Sequence, residues 1–199
     1  MMLWRRMVMS VGVLWLAVSL SGCDVNRIPT LDEQVKATWG QVENQYQRRA
    51  DLIPNLVATV KGYATHEQST LQAVTEARAK VGGLKLDAAA LADPVKLKQF
   101  EQAQAQLGGA LQRLMVVAER YPDLKANQNF LSLQAQLEGT ENRISVARRD
   151  YIAAVQSYNT ELRTFPGLVW HKLLYSELQP RASYEATKPG AAEAPEVKF

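Results

Sequence analysis

Apolar side chains recur at steps of three and four residues along most of this chain. The long runs with this spacing cover residues 31–81, 97–121 and 130–165. Such spacing places the apolar side chains on one face of an α-helix, which is the heptad-like pattern of helices that pack side by side. Because almost no segment alternates apolar and polar residues as a half-buried strand does, we predict an all-α fold.

Pro54 lies inside the first run. A proline within a helix removes one hydrogen bond and clashes with the preceding turn, although Asp51 could cap a second helix that has Pro54 in its first turn. The apolar spacing keeps its phase across Pro54. We therefore expect residues 31–81 to form either one long kinked helix or two nearly coaxial helices, about 75 Å in length.

Proline, glycine and capping residues divide the middle of the chain. The glycine pair at 82–83 begins a linker with a short helical turn expected at 87–92. Asp93 and Pro94 then have the side chains that favour the start of a helix, an N-cap acceptor followed by a proline in the first turn. Pro122 ends this second run, so we predict a second long helix between the two prolines.

The third run ends at Pro166, and the shorter apolar segment 168–178 is predicted to be a fourth helix that closes the bundle. Residues 179–199 are rich in Ala, Glu, Lys and Pro, which is typical of a disordered tail. The chain thus predicts a four-helix bundle over residues 31–178, which is large enough to bury a proper core.

The first residues have the three-part layout of a secretory signal. Arg5 and Arg6 precede an apolar run at 7–20, which is short for a membrane span because a span takes about 20 residues. Residues 20–23 resemble the bacterial lipobox, in which the cysteine receives a diacylglycerol before cleavage. We predict a lipoprotein signal peptide over 1–23, with an uncleaved membrane anchor as the alternative.

Cys23 is then the acylated first residue of the mature protein, and membrane lipid is its first expected partner. It is the only cysteine, so no disulfide forms within the chain. Asp24 resembles the signal that retains lipoproteins in the inner membrane of enteric-type Gram-negative bacteria. We expect the protein on the periplasmic face of the inner membrane, or on the outer face of the cell membrane in other bacteria, with residues 24–30 as a short tether.

Charge bears on one class of partner. Cleavage of the signal removes Arg5 and Arg6 and leaves 21 of the 23 basic residues against 20 acidic ones. A nearly neutral chain lacks the basic surface that nucleic-acid-binding proteins use against phosphates. Nucleic acid is therefore not an expected partner.

Two blocks of sequence resemble the signature of the LemA family. The first block holds Trp39, Gln45, Arg49, Asp51, Leu52, Ile53, Pro54, Asn55, Leu56, Gly62, Tyr63, His66 and Glu67. The second holds Tyr121, Pro122, Asp123, Leu124, Lys125, Ala126, Asn127, Glu141, Asn142, Arg143, Ile144, Tyr158, Asn159, Phe165 and Pro166. The resemblance implies a four-helix bundle with long antiparallel helices on an N-terminal membrane anchor. It implies no enzymatic activity and no cofactor, and it suggests a scaffold linked to envelope stress or membrane-protein quality control.

Three charged residues occupy positions where the helical spacing calls for apolar side chains. Glu141 and Arg148 are seven residues apart, hence on one helix face, and Arg49 could approach them from a facing helix. An unpaired charge inside a bundle is costly, whereas a paired network can set the register of the helices. We interpret the three as an interhelical ion-pair network first, a patch that binds a partner or ligand second, and a catalytic group last.

Two further polar residues flank Pro54. Asp51 and Asn55, with backbone carbonyls exposed by a kink, could form a recognition surface, although shaping the helix is the simpler role. His66 and Glu67 lack the second histidine that a helical zinc motif places four residues on, and His171 is the only other histidine, so we predict no metal site.

Three functions compete at this stage. The first is a non-enzymatic adaptor or scaffold that binds envelope membrane proteins or copies of itself. The second is a lipid-surface role for a short amphipathic helix with Trp170, Leu173 and Leu174, although these residues could simply close the bundle. The third and weakest is a cryptic hydrolase that uses His66, Glu67 or Glu141. No nucleophile elbow or glycine-rich phosphate loop is present, so we assign no catalytic residue.

Overall fold

A computed structural model describes residues 25–84 and 90–184. Within these ranges the chain forms six α-helices and no strand, so the fold is all-α as predicted. The helices are α1 (Arg27–Tyr63), α2 (Gln68–Gly82), α3 (Pro94–Ala118), α4 (Pro122–Lys125), α5 (Gln128–Glu161) and α6 (Gly167–Leu174). A short 3-10 helix, Ala90–Ala92, precedes α3 within the predicted linker.

Helices α1 and α5 are antiparallel and pack against each other along their length. At one end Arg27 Nε lies 2.9 Å from Glu161 Oε2, and at the other Asn127 Nδ2 donates a 2.9 Å hydrogen bond to Tyr63 Oη. Helix α3 lies against this pair, with Phe100 on Trp39 and Tyr46 of α1, and α2 lies beside α3 and the second half of α1. These four helices form the bundle.

The prediction of one helix, or two coaxial ones, over residues 31–81 was wrong. Helix α1 runs unbroken through Pro54 but ends at Tyr63, and the chain then reverses so that α2 returns along α1. Ala64 leaves the helical region, with φ −123° and ψ 60°. The apolar spacing hid this reversal because both helices present apolar faces at steps of three and four. As a result α2 is the fourth helix of the bundle, and α6 lies at its end.

Local signals placed the starts of the later helices. Asp93 caps α3, where its carboxylate accepts hydrogen bonds from the amides of Val95 at 2.9 Å and Lys96 at 3.3 Å. Asn127 caps α5 in the same way through the amides of the second and third residues that follow it. Each cap satisfies amides that have no partner within the helix.

Two groups of buried side chains hold the bundle together. The first, which we call the aromatic core, contains Trp39, Tyr46, Phe100, Tyr151 and Tyr184 and lies towards the start of α1. Its rings meet mostly edge to face, with Trp39 centred 5.3 Å from Tyr151 and 5.6 Å from Phe100. The second, the aliphatic core, includes Ile53, Leu56, Val60, Leu107, Leu114 and Leu124 and lies towards the α1–α2 turn.

The first residues of the predicted disordered tail are ordered. Arg181 binds Asp32 through bonds of 2.7 and 3.2 Å, and the Ala182 amide donates to the carbonyl oxygen of Leu91 at 2.8 Å. Tyr184 is buried in the aromatic core. We call residues 179–184 the C-terminal strap. It has no helical spacing, so the pattern that found the helices could not find it; the rest of the predicted tail, 185–199, lies outside the described residues.

The predicted tether, residues 24–30, ends earlier than expected. Helix α1 begins at Arg27, and Ile28 is fully buried against the aromatic core. Burial of Ile28 favours the helical start over an extended tether. The predicted signal peptide, Cys23 and Asp24 lie outside the described residues.

Candidate functional site

Arg49 lies in the middle of α1, between the two cores, with only 5% of its surface exposed. Its Nη1 donates to Glu141 Oε2 of α5 at 2.9 Å. Its Nη2 donates to the side-chain oxygen of Gln104 on α3 and lies 3.4 Å from the main-chain oxygen of the same residue. One guanidinium group therefore joins three helices.

Arg148 lies two helical turns after Glu141 on α5 and has a different acidic partner. Its Nη2 donates to Glu101 Oε1 of α3 at 3.1 Å, and its guanidinium lies 4.1 Å from the centre of the Tyr184 ring. The second contact is a cation–π interaction with the C-terminal strap. Arg148 therefore links α5, α3 and the strap.

These side chains surround a small cleft of about 160 Å³ between α1, α3 and α5. Its lining residues are Tyr46, Arg49, Glu101, Gln104, Ala105, Gly108, Glu141 and Arg148. The two arginines and two glutamates balance in charge. Burial raises the pKa of the Tyr46 phenol, so this hydroxyl stays neutral at physiological pH. We call Arg49, Glu101, Gln104, Glu141 and Arg148 the polar layer.

The polar layer contains both paired and unpaired donors. The buried Arg49 Nε and Gln104 Nε2 have no hydrogen-bond partner among the residues that the structure describes. A buried donor of this kind costs free energy unless water or a bound group satisfies it. The layer can therefore fix the register of three helices, and its unpaired donors can bind one or two water-sized acceptors. The cleft is too small for a large substrate.

The structure brings Arg49, Glu141 and Arg148 to one cleft, and it places Asp51 and Asn55 elsewhere. Asp51 is exposed on a groove of about 580 Å³ between α1 and α2. Asn55 is exposed on a separate groove of about 420 Å³ between α1 and α5. Asp51 therefore shares its groove with Gln104 of the polar layer, whereas the groove of Asn55 contains no residue of that layer.

Sequence reasoning missed Glu101 and Gln104 of the polar layer. Gln104 occupies an apolar position in the spacing of α3, which is the same signal that singled out Arg49. Glu101 carries no such signal, because it lies one residue after Phe100 at the edge of the apolar face. Its role depends on how α3 and α5 are rotated against each other.

The comparison with known families identifies the chain. The sequence profile of the LemA family matches residues 38–199. This chain belongs to the LemA family.

Named relatives agree with this membership. Two proteins of Paramagnetospirillum magneticum, magnetosome proteins MamQ 1 and MamQ 2, are each 30% identical over 184 residues, which covers 82% of this chain and 65% of theirs. Protein LemA of Metamycoplasma hominis is 28% identical over 142 residues, covering 71% of this chain and 58% of the relative. This LemA-family chain thus spans somewhat less than two thirds of the length of the relatives it matches.

The two histidines of this LemA-family protein lie at opposite ends of the bundle. His66 is exposed in the turn between α1 and α2, and its neighbour Glu67 accepts hydrogen bonds from Arg120 at 2.8 Å and Tyr121 at 3.1 Å. His171 Nε2 lies 2.9 Å from the carbonyl oxygen of Leu178. Within residues 25–84 and 90–184 no group of three metal-ligating side chains comes together.

None of the described helices is both long and apolar enough to cross a lipid bilayer. Helix α1 has 37 residues, but its exposed side carries polar and charged side chains along its length. The apolar run at 7–20 is outside the range to which this finding applies.

Proposed function

We propose that this protein is a lipid-anchored, non-enzymatic adaptor of the bacterial cell envelope that binds envelope membrane proteins or copies of itself. The observation that carries the proposal is the start of α1 at Arg27. Only residues 24–26 separate it from the lipobox cysteine, a distance of at most about 14 Å. An acylated Cys23 would hold the bundle directly at the bilayer surface.

The polar layer supports a structural role over a catalytic one. Arg49 bonds to both Gln104 and Glu141, so the acidic and amide oxygens that could serve as bases are held by a buried guanidinium group. A general base has to reach a proton on a substrate, and a nucleophile has to reach an electrophilic atom. A hydrolase based on His66 and Glu67 is weaker still, because Glu67 is bonded to Arg120 and Tyr121.

The groove between α1 and α2 is the surface that we propose for partner binding. It is lined by polar side chains that include Asn44, Gln47, Asp51 and Arg78, with Phe100 at its base. Polar rims around a partly apolar floor are typical of transient protein interfaces. Relatives named as magnetosome proteins support a place at a cellular structure.

Crosslinking in living cells tests the adaptor proposal. A photo-crosslinking residue at Asn44 or Gln47, both exposed on the groove, should trap one or a few defined membrane proteins or a second copy of the chain. The same residue at Val116, exposed on α3 away from this groove, is the matched control. Equal, diffuse crosslinking at all three positions would count against an adaptor.

Two measurements test the anchor and its location. Cys23 should incorporate labelled fatty acid in cells and the Cys23→Ser variant should not, while inhibition of lipoprotein signal peptidase should cause a larger precursor to accumulate. In a Gram-negative host, fractionation should place the protein in the inner membrane, and replacement of Asp24 by Ser should move it outward. Unchanged size and no labelling would overturn the anchor.

A further inference from the structure

The segment that contains α6 exposes four large apolar side chains within residues 165–174. Phe165 is 84% exposed, Leu173 69%, Leu174 54% and Val169 40%. Val169 and Leu173 are one helical turn apart and share a face. We call these four residues the α6 edge. Trp170, in contrast, packs against the aromatic core and holds α6 to the bundle.

No other described segment has such a concentration. The remaining large exposed apolar side chains, Tyr63, Val95, Val116, Leu131, Val146 and Ile152, are spread over α1, α3 and α5. Scattered apolar side chains are ordinary on a protein surface, whereas a contiguous patch indicates an interaction site. The α6 edge is therefore a candidate interaction site.

The α6 edge lies at the end of the bundle where α1 begins. Arg27, the first residue of α1, pairs with Glu161, the last residue of α5, at 2.9 Å. Gly167, the first residue of α6, packs directly on Glu161, because a side-chain carbon there would lie 2.5 Å from Glu161 Oε1. The edge and the chain leading to Cys23 thus share one end.

Two exposed basic side chains are close to the edge in the sequence. Arg163 and Lys172 are exposed before and after Val169 in the sequence, the half-exposed Arg27 is paired with Glu161, and the exposed Glu177 is the nearest other acidic residue in the sequence. Apolar side chains flanked by lysine and arginine are the composition of segments that bind at the interface of anionic bilayers. The same end would be held there by the acyl chains.

We propose that the α6 edge inserts its apolar side chains into the surface of an anionic bilayer. This inference rests on the proposed function only for the anchor that brings the edge to the membrane. Helix α1 has 37 residues and is about 55 Å long. Contact with the bilayer at both the anchor and the edge limits how the bundle can tilt. The α1–α2 turn lies at the opposite end of the bundle, away from the bilayer.

The experiment uses the full, acylated chain reconstituted in vesicles of phosphatidylethanolamine and phosphatidylglycerol. Acylation consumes the only natural thiol, so a cysteine introduced by Phe165→Cys or Leu173→Cys is the single site for an environment-sensitive fluorophore. Val116→Cys is the matched control, because Val116 is 66% exposed, close to the 69% of Leu173, but lies near the other end of the bundle.

We expect the labels at 165 and 173 to shift to the blue and to lose at least about threefold more emission to nitroxide-labelled lipid than the label at 116. Removing phosphatidylglycerol should weaken the difference. Equal quenching at all three positions would overturn the proposal. A blue shift at 165 and 173 that requires other membrane proteins would also overturn it, because that result indicates a protein partner. A blue shift that appears in detergent as the protein concentration rises would indicate a second copy of the chain instead and would overturn it too.

A failed anchor gives a different result from a failed edge. If mass spectrometry shows Cys23 without lipid, the anchor of the proposed function is wrong. The same labels placed in the full Cys23→Ser chain and added to vesicles still report on the edge, and quenching at 165 and 173 above that at 116 would support it. If Cys23 is acylated and quenching is equal, the edge alone is wrong.

Discussion

The Arg78 side chain of α2 donates a hydrogen bond of 2.9 Å from Nε to the carbonyl oxygen of Ala50 in α1. Ala50 is four residues before Pro54, and a proline has no amide to offer that carbonyl. The arginine therefore supplies the donor that the proline lacks. This bond explains how α1 continues through Pro54, and it ties the returning helix α2 to the point where α1 is weakest.

Replacement of Arg78 by Met should lower the free energy of unfolding by about 1 to 2 kcal/mol, because a partly buried carbonyl loses its donor. In a Pro54→Ala background the helix regains its own amide, so the same replacement should cost less than half as much. Urea unfolding of the four variants measures this coupling. Equal costs in the two backgrounds would show that Arg78 does not compensate for Pro54.

Arg49 and Glu141 should differ in their effect on stability although they form one ion pair. Arg49→Ala removes a buried group that joins three helices and should cost about 3 kcal/mol. Glu141→Ala takes the anionic partner from the buried Arg49, but Gln104 still accepts a hydrogen bond from Arg49 and water can replace the half-exposed carboxylate, so the cost should be smaller, about 1 to 2 kcal/mol. Denaturant unfolding checks the order, and a larger loss for Glu141→Ala would contradict it.

The bond between Asp32 and Arg181 should make stability depend on pH in acid. Burial alone raises the pKa of the Asp32 carboxyl, but hydrogen bonds from Arg181 and Lys36 outweigh burial and hold the pKa below its ordinary value of 3.8. The folded protein thus binds this proton less readily than the unfolded chain. The stabilisation is fully present above that ordinary value and is lost as the pH falls through the lower pKa of the folded state.

Asp32→Asn should therefore be less stable than wild type at pH 7, and the gap should close as the pH falls below about 4. Thermal unfolding across this range measures the gap. Glu33→Gln is the control, since the Glu33 side chain is 72% exposed and next to Asp32 in sequence, and it should show a much smaller gap. A constant gap for Asp32→Asn at all pH values would refute the linkage.

Gly167→Ala should displace α6. The new methyl group would lie 2.5 Å from Glu161 Oε1 and closer still to the Glu161 main-chain oxygen, so we expect a loss of about 1 to 3 kcal/mol. Gly139→Ala, inside α5 with no atom within 4 Å of the new carbon, should instead stabilise the protein by about 0.5 to 1 kcal/mol. Thermal unfolding separates the two, and the same sign for both would be inconsistent with this geometry.

Tyr184 should tolerate loss of its hydroxyl but not of its ring. The ring is centred 5.6 Å from Tyr151 and 6.4 Å from Trp39, and Tyr184→Ala should cost about 3 kcal/mol. The buried hydroxyl has no hydrogen-bond partner among the described residues, and burial raises its pKa above the ordinary range. Tyr184→Phe should therefore be neutral or more stable. Urea unfolding that finds Phe as costly as Ala would reveal an essential hydroxyl.

The sequence predicted those parts of the fold that depend on local chemistry. The cap at Asp93 and the long helix α5 follow from residues near one another in the chain. The reversal after Tyr63 could not be predicted in this way. Apolar spacing shows which side of a helix is buried, but it does not show whether the next helix continues in the same direction or turns back. The C-terminal strap depends on contacts with Asp32 and Leu91, far away in sequence.

The candidate site divides in the same way. A charge at an apolar position in a helix signals Arg49 and Glu141, since such a charge requires a partner. The identity of that partner depends on the relative rotation of three helices, which no single helix encodes. Arg148 therefore proved to bind Glu101, and Asp51 and Asn55 proved to face separate grooves.

The bond between Arg181 and Asp32 also determines how the bundle carries mechanical load. A pull on the chain beyond residue 184 is transmitted first to the strap, and Arg181 passes it to Asp32 within the first two turns of α1. Ala182 shares the load with Leu91, and Tyr184 shares it with the aromatic core, so the first contacts to bear a pull on the C-terminal strap lie in the half of the bundle where α1 begins.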